Sequence, residues 1–402
     1  MKNIKRIGEM VVKSVLSLSG AITTIAIVLI VLFLFKEGFG LFGSPTIEKG
    51  YALFVNASNE VKTLNAEQVK QIFDEQITSW KDVGGKDDEI MLFRFEEIFN
   101  LYSDEELGEN YSLLPDKLAE VITENPNIVA FLPNKYSPTA SQVKKLEDKN
   151  IASSDFFFGR EWIPTATPSP LFGMLPLILG TLLVSLVAVM IALPIGLGVA
   201  IYLSELANEK VRKVLKSVVE LLAGIPSVVY GFFGLVVLVP IVQSVFGLSV
   251  GETAFTASLI LAIMALPTII SVAEDALRNT PLVMREASLA LGATKWQTIY
   301  KVVVPYSKSG ILAAAVLGIG RAVGETMAVL MVSGNAAAIP HSLFEPVRTI
   351  PATIAAELGE APSGGTHYQA LFMLGCILFV ITTLVSISAE IISKKQHTTK
   401  GL

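Results

Sequence analysis

Six long apolar runs, separated by polar segments, dominate the pattern of this chain of 402 residues. A membrane-spanning helix needs about 20 mostly apolar residues, and each run approaches or exceeds that length. The pattern therefore predicts an all-α polytopic membrane protein with six transmembrane helices. The runs cover roughly residues 14–35, 173–203, 226–247, 253–273, 308–332 and 369–392.

Composition and charge distribution support this prediction and add one soluble region. The chain is 52% hydrophobic and 17% charged, with a mean hydropathy of +0.59, values typical of membrane proteins rather than soluble ones. Residues 37–161 hold 23 acidic and 12 basic side chains, so their net charge is −11 while the remainder is +6. Such segregation indicates a large acidic insertion between the first two spans.

Basic residues in the short connections predict the orientation in the membrane. They are concentrated before the first span, in two of the connections and after the last span, and these segments alternate with base-poor ones. Because Lys and Arg favour the cytoplasmic side, we expect a multi-pass cytoplasmic (inner) membrane protein with both termini in the cytoplasm and the insertion outside. The basic segments are residues 1–13, 204–224, 274–308 and 394–402.

The cytoplasmic connection at residues 274–308 predicts two short helices joined by a tight turn. Thr280 is a suitable N-cap with Pro281 at the first helical position, and Gly292 supplies a left-handed stop. Thr294 and Gln297 then have the spacing of a capping box. A plain surface hairpin is one interpretation. A DNA-reading helix-turn-helix is disfavoured, because the second helix runs directly into a span.

The spacing within this connection resembles the EAA loop of ABC-importer permeases. The matching residues are Glu286, Ala287 and Ser288, then Gly292 after three residues, and Val302 to Pro305 after nine more. Ser288 and the valines are conservative departures from that pattern. The resemblance implies docking onto a separate ATP-binding cassette ATPase dimer. ATP and Mg²⁺ would bind that partner, so neither a bound cofactor nor an enzymatic activity is expected of this chain, which has no phosphate-binding P-loop motif.

Three further stretches narrow the resemblance to the permease subunits of phosphate-specific ABC importers, and to the PstC type more than the PstA type. They begin at residues 180, 220 and 320, the last reading GRAVGETMAV. The resemblance implies the type I ABC importer permease architecture for a core of residues 162–393 with five spans. It also implies three partners: a PstA-type permease, the ATPase dimer and a phosphate-binding protein.

Arg321 and Glu325 lie four residues apart inside the fifth apolar run. A charge at the bilayer centre costs roughly 2.5–3.5 kcal/mol on insertion scales, so such residues mark a functional site or a neutralised pair. On one continuous helix the two side chains would share a face, which permits a purely structural ion pair. The resemblance favours the alternative that phosphate competes with Glu325 for the Arg321 guanidinium. Ser227 and Tyr230 would offer hydroxyl contacts to the anion or pack between helices.

The acidic insertion predicts a small α/β unit that resembles part of one lobe of a phosphate-binding protein. Strand-like and helix-like patterns alternate from residue 47 to residue 152. In such proteins the chain after a strand clasps phosphate with an arginine and hydroxyl groups, whereas here Arg94 is followed by Glu96 and Glu97. We therefore expect a docking or scaffold role rather than a second phosphate site.

Two other functions remain open on the sequence. A permease for another oxyanion, such as molybdate or sulfate, would carry the same arginine and glutamate. A membrane sensor with an external ligand domain is a third hypothesis, although no output segment is evident. The histidines are isolated, at positions 341, 367 and 397, so no metal site is expected.

Overall fold

The first apolar run lies within one long helix, α1 (Lys2–Gly40). The computed structural model describes residues 2–398, and the side chains of residues 13–388, 390 and 391. The apolar side chains of α1 are exposed along most of its length, as expected of a helix that faces lipid. Its second half packs against the last helix of the chain, where the Cys376 thiol donates to the Leu34 carbonyl at 3.3 Å.

The chain divides into two compact units. The membrane unit comprises Met1–Gly38, Leu175–Ser363 and Leu371–Leu402. The insertion unit comprises Phe39–Met174 together with Gly364–Ala370.

The insertion unit is an α/β structure, as the sequence predicts. Its main sheet has the order β2-β3-β1-β4, with β3 antiparallel to β1 and parallel to β2, and a second sheet pairs β5 with β6. The strands are β1 (Tyr51–Asn56), β2 (Met91–Arg94), β3 (Ile128–Pro133), β4 (Val143–Lys145), β5 (Trp162–Ile163) and β6 (Leu171–Phe172). The helices are α2 (Ala66–Phe73), α3 (Ile98–Leu101), α4 (Leu114–Glu124) and α5 (Ser153–Phe158).

Alternation along β1 supplies this unit with two apolar cores, one on each face of the sheet. Phe54 and the buried face of α4 belong to one core, whereas Val55, Trp80 and the buried face of α2 belong to the other. Successive strand residues point to opposite faces, so one strand serves both cores. The insertion therefore has a hydrophobic interior of its own.

The remaining helices belong to the membrane unit, apart from the first five residues of α17, which belong to the insertion unit. Five helical segments of the described chain are long and apolar enough to cross a membrane, and a sixth span results if the helices at Lys295–Tyr306 and Lys308–Val323, bent by 68°, count as one. The helices are α6 (Leu175–Ile201), α7 (Glu209–Ala223), α8 (Ser227–Phe233), α9 (Val239–Phe246), α10 (Ala254–Arg278), α11 (Leu282–Ala290), α12 (Lys295–Thr298), α13 (Val304–Tyr306), α14 (Lys308–Val323), α15 (Met327–Val332), α16 (Ile350–Glu357) and α17 (Thr366–Thr398).

Helix α10 lies at the centre of the membrane unit, packed between α6 and α14. Small residues permit this close packing: a β-carbon at Gly196 of α6 would lie 2.8 Å from Ile269, and one at Gly318 of α14 would lie 2.9 Å from the same side chain. Close backbone approach at glycine is a common way to pack helices in membranes, where apolar burial gives little driving force. The centre of the bundle is therefore built around α10.

Candidate functional site

Arg321 lies near the end of α14, and its guanidinium contacts the middle of α10. Nη1 of Arg321 donates a hydrogen bond to Oγ1 of Thr268 at 3.2 Å. Thr268 precedes the end of the 25-residue helix α10 by ten residues, so the arginine is held near the midpoint of a membrane-spanning helix. The side chain is exposed within this chain. A charged group thus lies at the membrane depth where the free-energy cost of placing a charge is highest.

The predicted pairing of Arg321 with Glu325 on one helix face is wrong for this structure. Helix α14 ends at Val323, and Gly324 to Thr326 form a non-helical break before α15. The Glu325 carboxylate instead accepts a hydrogen bond of 3.4 Å from the backbone N–H of Ala328, in the first turn of α15. Within the part of the chain that the structure describes, Arg321 forms no ion pair.

The chemical consequence is a guanidinium held by a neutral hydroxyl. Arginine presents a planar fork of donors that suits carboxylate or phosphate oxygens. Thr268 occupies only Nη1, and no other residue that the structure describes accepts a hydrogen bond from Arg321, so its remaining donors can bind an anion. The arrangement can attract an oxyanion without first displacing a carboxylate.

Of the two predicted hydroxyl contacts, Tyr230 already has a partner. Its hydroxyl donates to the carbonyl of Leu222 at 2.9 Å, and its ring is buried in the central core. Ser227 is half-buried in the first turn of α8. The Tyr230 hydroxyl is thus committed to helix packing.

The predicted two-helix turn is present at residues 282–298. Gly292 has the left-handed value φ = +84°, and Thr294 and Gln297 form the reciprocal hydrogen bonds of a capping box. The predicted N-cap at Thr280 is wrong, because α11 begins at Leu282 and the buried Thr280 hydroxyl lies 3.2 Å from Oγ of Ser307. Thr280 ties the turn to the start of α14 instead.

The EAA-like residues divide between outer and inner faces of this turn. Glu286 and Ala287 are exposed, whereas Oγ of Ser288 lies 2.9 Å from the Thr298 hydroxyl and braces the two short helices against each other. Ser288 is therefore half-buried, with its hydroxyl used inside the turn. Sequence reasoning missed the most exposed apolar side chains of the turn, which are Leu282, Val283, Leu291 and Trp296.

An ion pair joins this turn to two spans. Arg285 of α11 lies 3.0 Å from the Glu205 carboxylate just beyond α6, and it donates to the Leu277 carbonyl in the last turn of α10 at 2.8 Å. Both charged side chains are largely buried, at 18% and 11% exposure. Arg285 therefore joins α11 to both α6 and α10.

A second buried carboxylate lies at the same end of α10. Glu274 is 1% exposed, with Lys216 of α7 at 3.5 Å and Arg278 at 3.8 Å. The amphipathic helix α7 is thus tethered to α10. A glutamate directly after the apolar run at residues 253–273 was the available sequence signal for this site.

Arg94 of the insertion unit has a structural partner. Its Nη2 donates to the Phe73 carbonyl at the end of α2 at 3.2 Å, and the guanidinium lies 5.8 Å from the centre of the Phe73 ring. The following segment, Phe95–Glu97, is a short 3₁₀-helix that carries two carboxylates. This arginine therefore fastens α2 to the edge of the sheet.

Comparison with known proteins places the core of the chain in one family. Residues 192–398 match the model of the binding-protein-dependent transport system inner membrane component. The phosphate transport system permease protein PstC of Pasteurella multocida (strain Pm70) is 41% identical over 259 residues, which cover 60% of this chain and 79% of that protein.

Two solved structures are similar at lower levels. One is the MetNI methionine ABC transporter in an inward-facing conformation, with 21% identity, a TM-score of 0.44 and coverage of 56% of this chain and 97% of that one. The other is a putative phosphate ABC transporter substrate-binding protein from Clostridium perfringens, with 25% identity, a TM-score of 0.19 and coverage of 26% and 46%.

Proposed function

Because this chain belongs to the family of binding-protein-dependent transport system inner membrane components, we propose that it is the PstC-type permease of an ATP-driven phosphate importer. It provides the translocation pathway for inorganic phosphate together with a related PstA-type permease. A phosphate-binding protein delivers the anion, and a separate ATPase dimer supplies the energy.

The observation that carries this proposal is the position of the Arg321 guanidinium. It lies at the midpoint of α10 with a neutral hydroxyl as its hydrogen-bond partner. A phosphate ion that reaches this depth would form charge-assisted hydrogen bonds to the unoccupied donors. Since transport also requires release of phosphate, the anion must bind weakly, and a single arginine binds it more weakly than a site that surrounds it with donors.

Coupling to ATP hydrolysis follows from the connections of the two-helix turn. The exposed apolar residues Leu291 and Trp296 offer a surface for the ATPase. Closure of that partner would push α11, and the Arg285 contacts would pass the movement to α10. Because Thr268 lies on α10, the same movement changes the surroundings of Arg321.

The charge distribution supports the orientation of the chain. The two-helix turn and both termini would face the cytoplasm of a cell with this importer in its inner membrane, and the acidic insertion unit would lie outside. With a net charge of −11 over residues 37–161, the insertion suits docking or scaffolding better than phosphate binding. Arg94, already engaged with Phe73, supports the same conclusion.

Reconstituted transport tests the proposal. The chain, a PstA-type permease, the ATPase and the binding protein are incorporated into vesicles, and uptake of radiolabelled phosphate is followed with and without ATP. We expect ATP-dependent phosphate uptake that excess sulfate or molybdate does not reduce. Uptake of sulfate or molybdate in preference to phosphate would assign the chain to a different oxyanion.

A further inference from the structure

The insertion unit contains a cavity of about 400 Å³. A volume of this size is typical of small-molecule binding sites, which span about 300–1,000 Å³. Its walls are formed by α2, by α5 with the residues that follow it, and by β6 with the residues on either side. All of the lining residues belong to the insertion unit, so this unit forms the cavity by itself.

One wall of this cavity lies next to the two spans that flank the insertion. Phe42, at the end of the span Lys13–Gly43, packs edge-on against Phe156, with 6.1 Å between the ring centres. The Met174 N–H donates to the Phe156 carbonyl at 2.9 Å, and α6 begins at the next residue, Leu175. Because the Cα atoms of neighbouring residues are about 3.8 Å apart, this wall lies within a few residues' length of both spans. The cavity is therefore at the depth of the lipid headgroups.

Close backbone contact fixes the wall of the cavity that lies next to the membrane. A β-carbon at Gly159 would lie 2.7 Å from the Cα atom of Gly173, so a larger residue does not fit there. The Gly173 N–H also donates to the Glu161 carbonyl at 2.9 Å. The segment that carries Arg160 and Glu161 is thereby held against the residues that lead into α6.

The charged groups that line the cavity leave one cation and two carboxylates without an ion pair. Lys70 is neutralised by two carboxylates, at 2.7 Å and 3.4 Å. Within the described part of the chain, Arg160 forms no ion pair or hydrogen bond through its side chain, and neither Glu67 nor Asp155 has a basic partner. A ligand that complements these groups must carry both a negative and a positive charge.

Apolar side chains line the same cavity beside these charges. Phe158, two residues before Arg160, is 74% exposed, and Leu171 and Phe172 contribute apolar surface from β6. A phenylalanine with so much of its ring exposed is expected where a protein meets a lipid or another apolar partner. The cavity therefore suits a ligand with a charged end and an apolar end.

We propose that this cavity binds the headgroup of a zwitterionic phospholipid, phosphatidylethanolamine in particular. The Arg160 guanidinium binds the lipid phosphate, because arginine presents a fork of donors that matches phosphate oxygens. The carboxylates of Glu67 and Asp155 accept hydrogen bonds from the ammonium group, and the acyl chains pass Phe158 on their way into the bilayer. The bound lipid fastens the insertion unit to the membrane surface, whichever anion the chain transports.

Lipid titration followed by native mass spectrometry tests this site. The full chain is purified in a mild detergent, delipidated and titrated with phosphatidylethanolamine, phosphatidylcholine or phosphatidylglycerol that have identical acyl chains. Choline keeps the positive charge of ethanolamine but has no N–H donor, and glycerol has no positive charge. The first phosphatidylethanolamine molecule should bind about five-fold more tightly than the first molecule of either other lipid, the effect of about one hydrogen bond. Equal binding of the three lipids, or a preference for phosphatidylglycerol, would overturn the inference.

Variants of exposed side chains locate the bound lipid. Arg160→Gln should weaken binding of the first phosphatidylethanolamine molecule about five-fold. Glu67→Gln combined with Asp155→Asn should remove the preference for phosphatidylethanolamine over phosphatidylcholine. Lys62→Gln, which removes an exposed cation outside the cavity, is the matched control and should bind the lipids as the unaltered chain does. Equal phosphatidylethanolamine binding by the Arg160→Gln and Lys62→Gln variants would show that the lipid does not occupy this cavity.

Discussion

At the residue scale, the sequence identifies the important charge but not its partner. Arg321 is recognisable because a basic side chain interrupts an apolar run. The spacing to Glu325 predicts an ion pair only if the helix continues, and it ends at Val323. Thr268, the observed partner, is 53 residues away in the sequence, and only the packing of α14 on α10 brings the two together.

Replacing the Thr268 hydroxyl tests how the guanidinium is positioned. Thr268→Val keeps the shape of the side chain and removes the acceptor for Arg321. A hydrogen bond to a charged group contributes about 1.5–3 kcal/mol, so phosphate uptake should fall about ten-fold or more. Thr268→Ser retains the hydroxyl and should stay within about two-fold of the original rate. Equal rates for the valine and serine variants would show that this contact does not position Arg321.

At the element scale, sequence patterns within a few residues predict the turns and caps of helices, whereas features that depend on packing between distant segments are not predicted. The left-handed Gly292 and the capping box of Thr294 and Gln297 are set by residues a few positions apart, and the structure contains both. The apolar run at residues 308–332 predicts one span. It is two helices, since α14 ends at Val323 and α15, which begins at Met327, packs against α8 where Gly231 lies close to Ala328. Apolar periodicity carries no information about that packing.

Gly292 offers a test of the two-helix turn. With φ = +84°, alanine at this position is strained by roughly 1–2 kcal/mol, although no atom lies within 4 Å of the added β-carbon. Gly292→Ala should therefore weaken stimulation of the ATPase by the transported anion, whereas Gly292→Asn should be milder because asparagine tolerates left-handed backbone. Stimulated ATP hydrolysis in vesicles is the measurement. Equal activity of the glycine and alanine forms would contradict a rigid turn.

The Arg285 ion pair offers a second test at this scale. Arg285→Gln leaves the buried Glu205 carboxylate without a cation, at a cost of roughly 3–5 kcal/mol. We expect the ATPase to remain bound while uptake per ATP hydrolysed falls. Adding Glu205→Gln removes the stranded charge and should recover part of the loss, since the two residues interact directly. Strictly additive losses in the double variant would show that the pair does not link α11 to α6.

At the scale of the whole molecule, charge segregation and hydropathy predict a membrane core and a separate acidic α/β insertion. Each part has its own apolar core, so neither prediction depends on how the two parts meet. The order of strands in the sheet is not predictable from the sequence, because β1 pairs with β3 and β4 across connections of different length.

The insertion provides a test of whether Arg94 stabilises the insertion or binds phosphate. Arg94→Gln removes the hydrogen bond to the Phe73 carbonyl and should destabilise the insertion by about 1–2 kcal/mol. Phosphate uptake should remain within about two-fold of normal, because weakening a scaffold by this amount leaves the translocation pathway unchanged. Thermal unfolding and vesicle uptake measure the two effects. A loss of uptake comparable to that of an Arg321 variant would place Arg94 in phosphate binding.

The most direct test of the central claim is ATP-driven phosphate uptake by vesicles that contain the Arg321→Gln permease, normalised to the amount of assembled complex. Arg212→Gln, which removes a positive charge from α7, is the matched control. We expect Arg321→Gln to lower uptake by about a hundred-fold, because charge-assisted hydrogen bonds worth about 3 kcal/mol are lost. The ATPase should still co-purify with this variant, and the Arg212→Gln control should transport phosphate normally. Undiminished uptake by the Arg321→Gln complex would contradict the central claim.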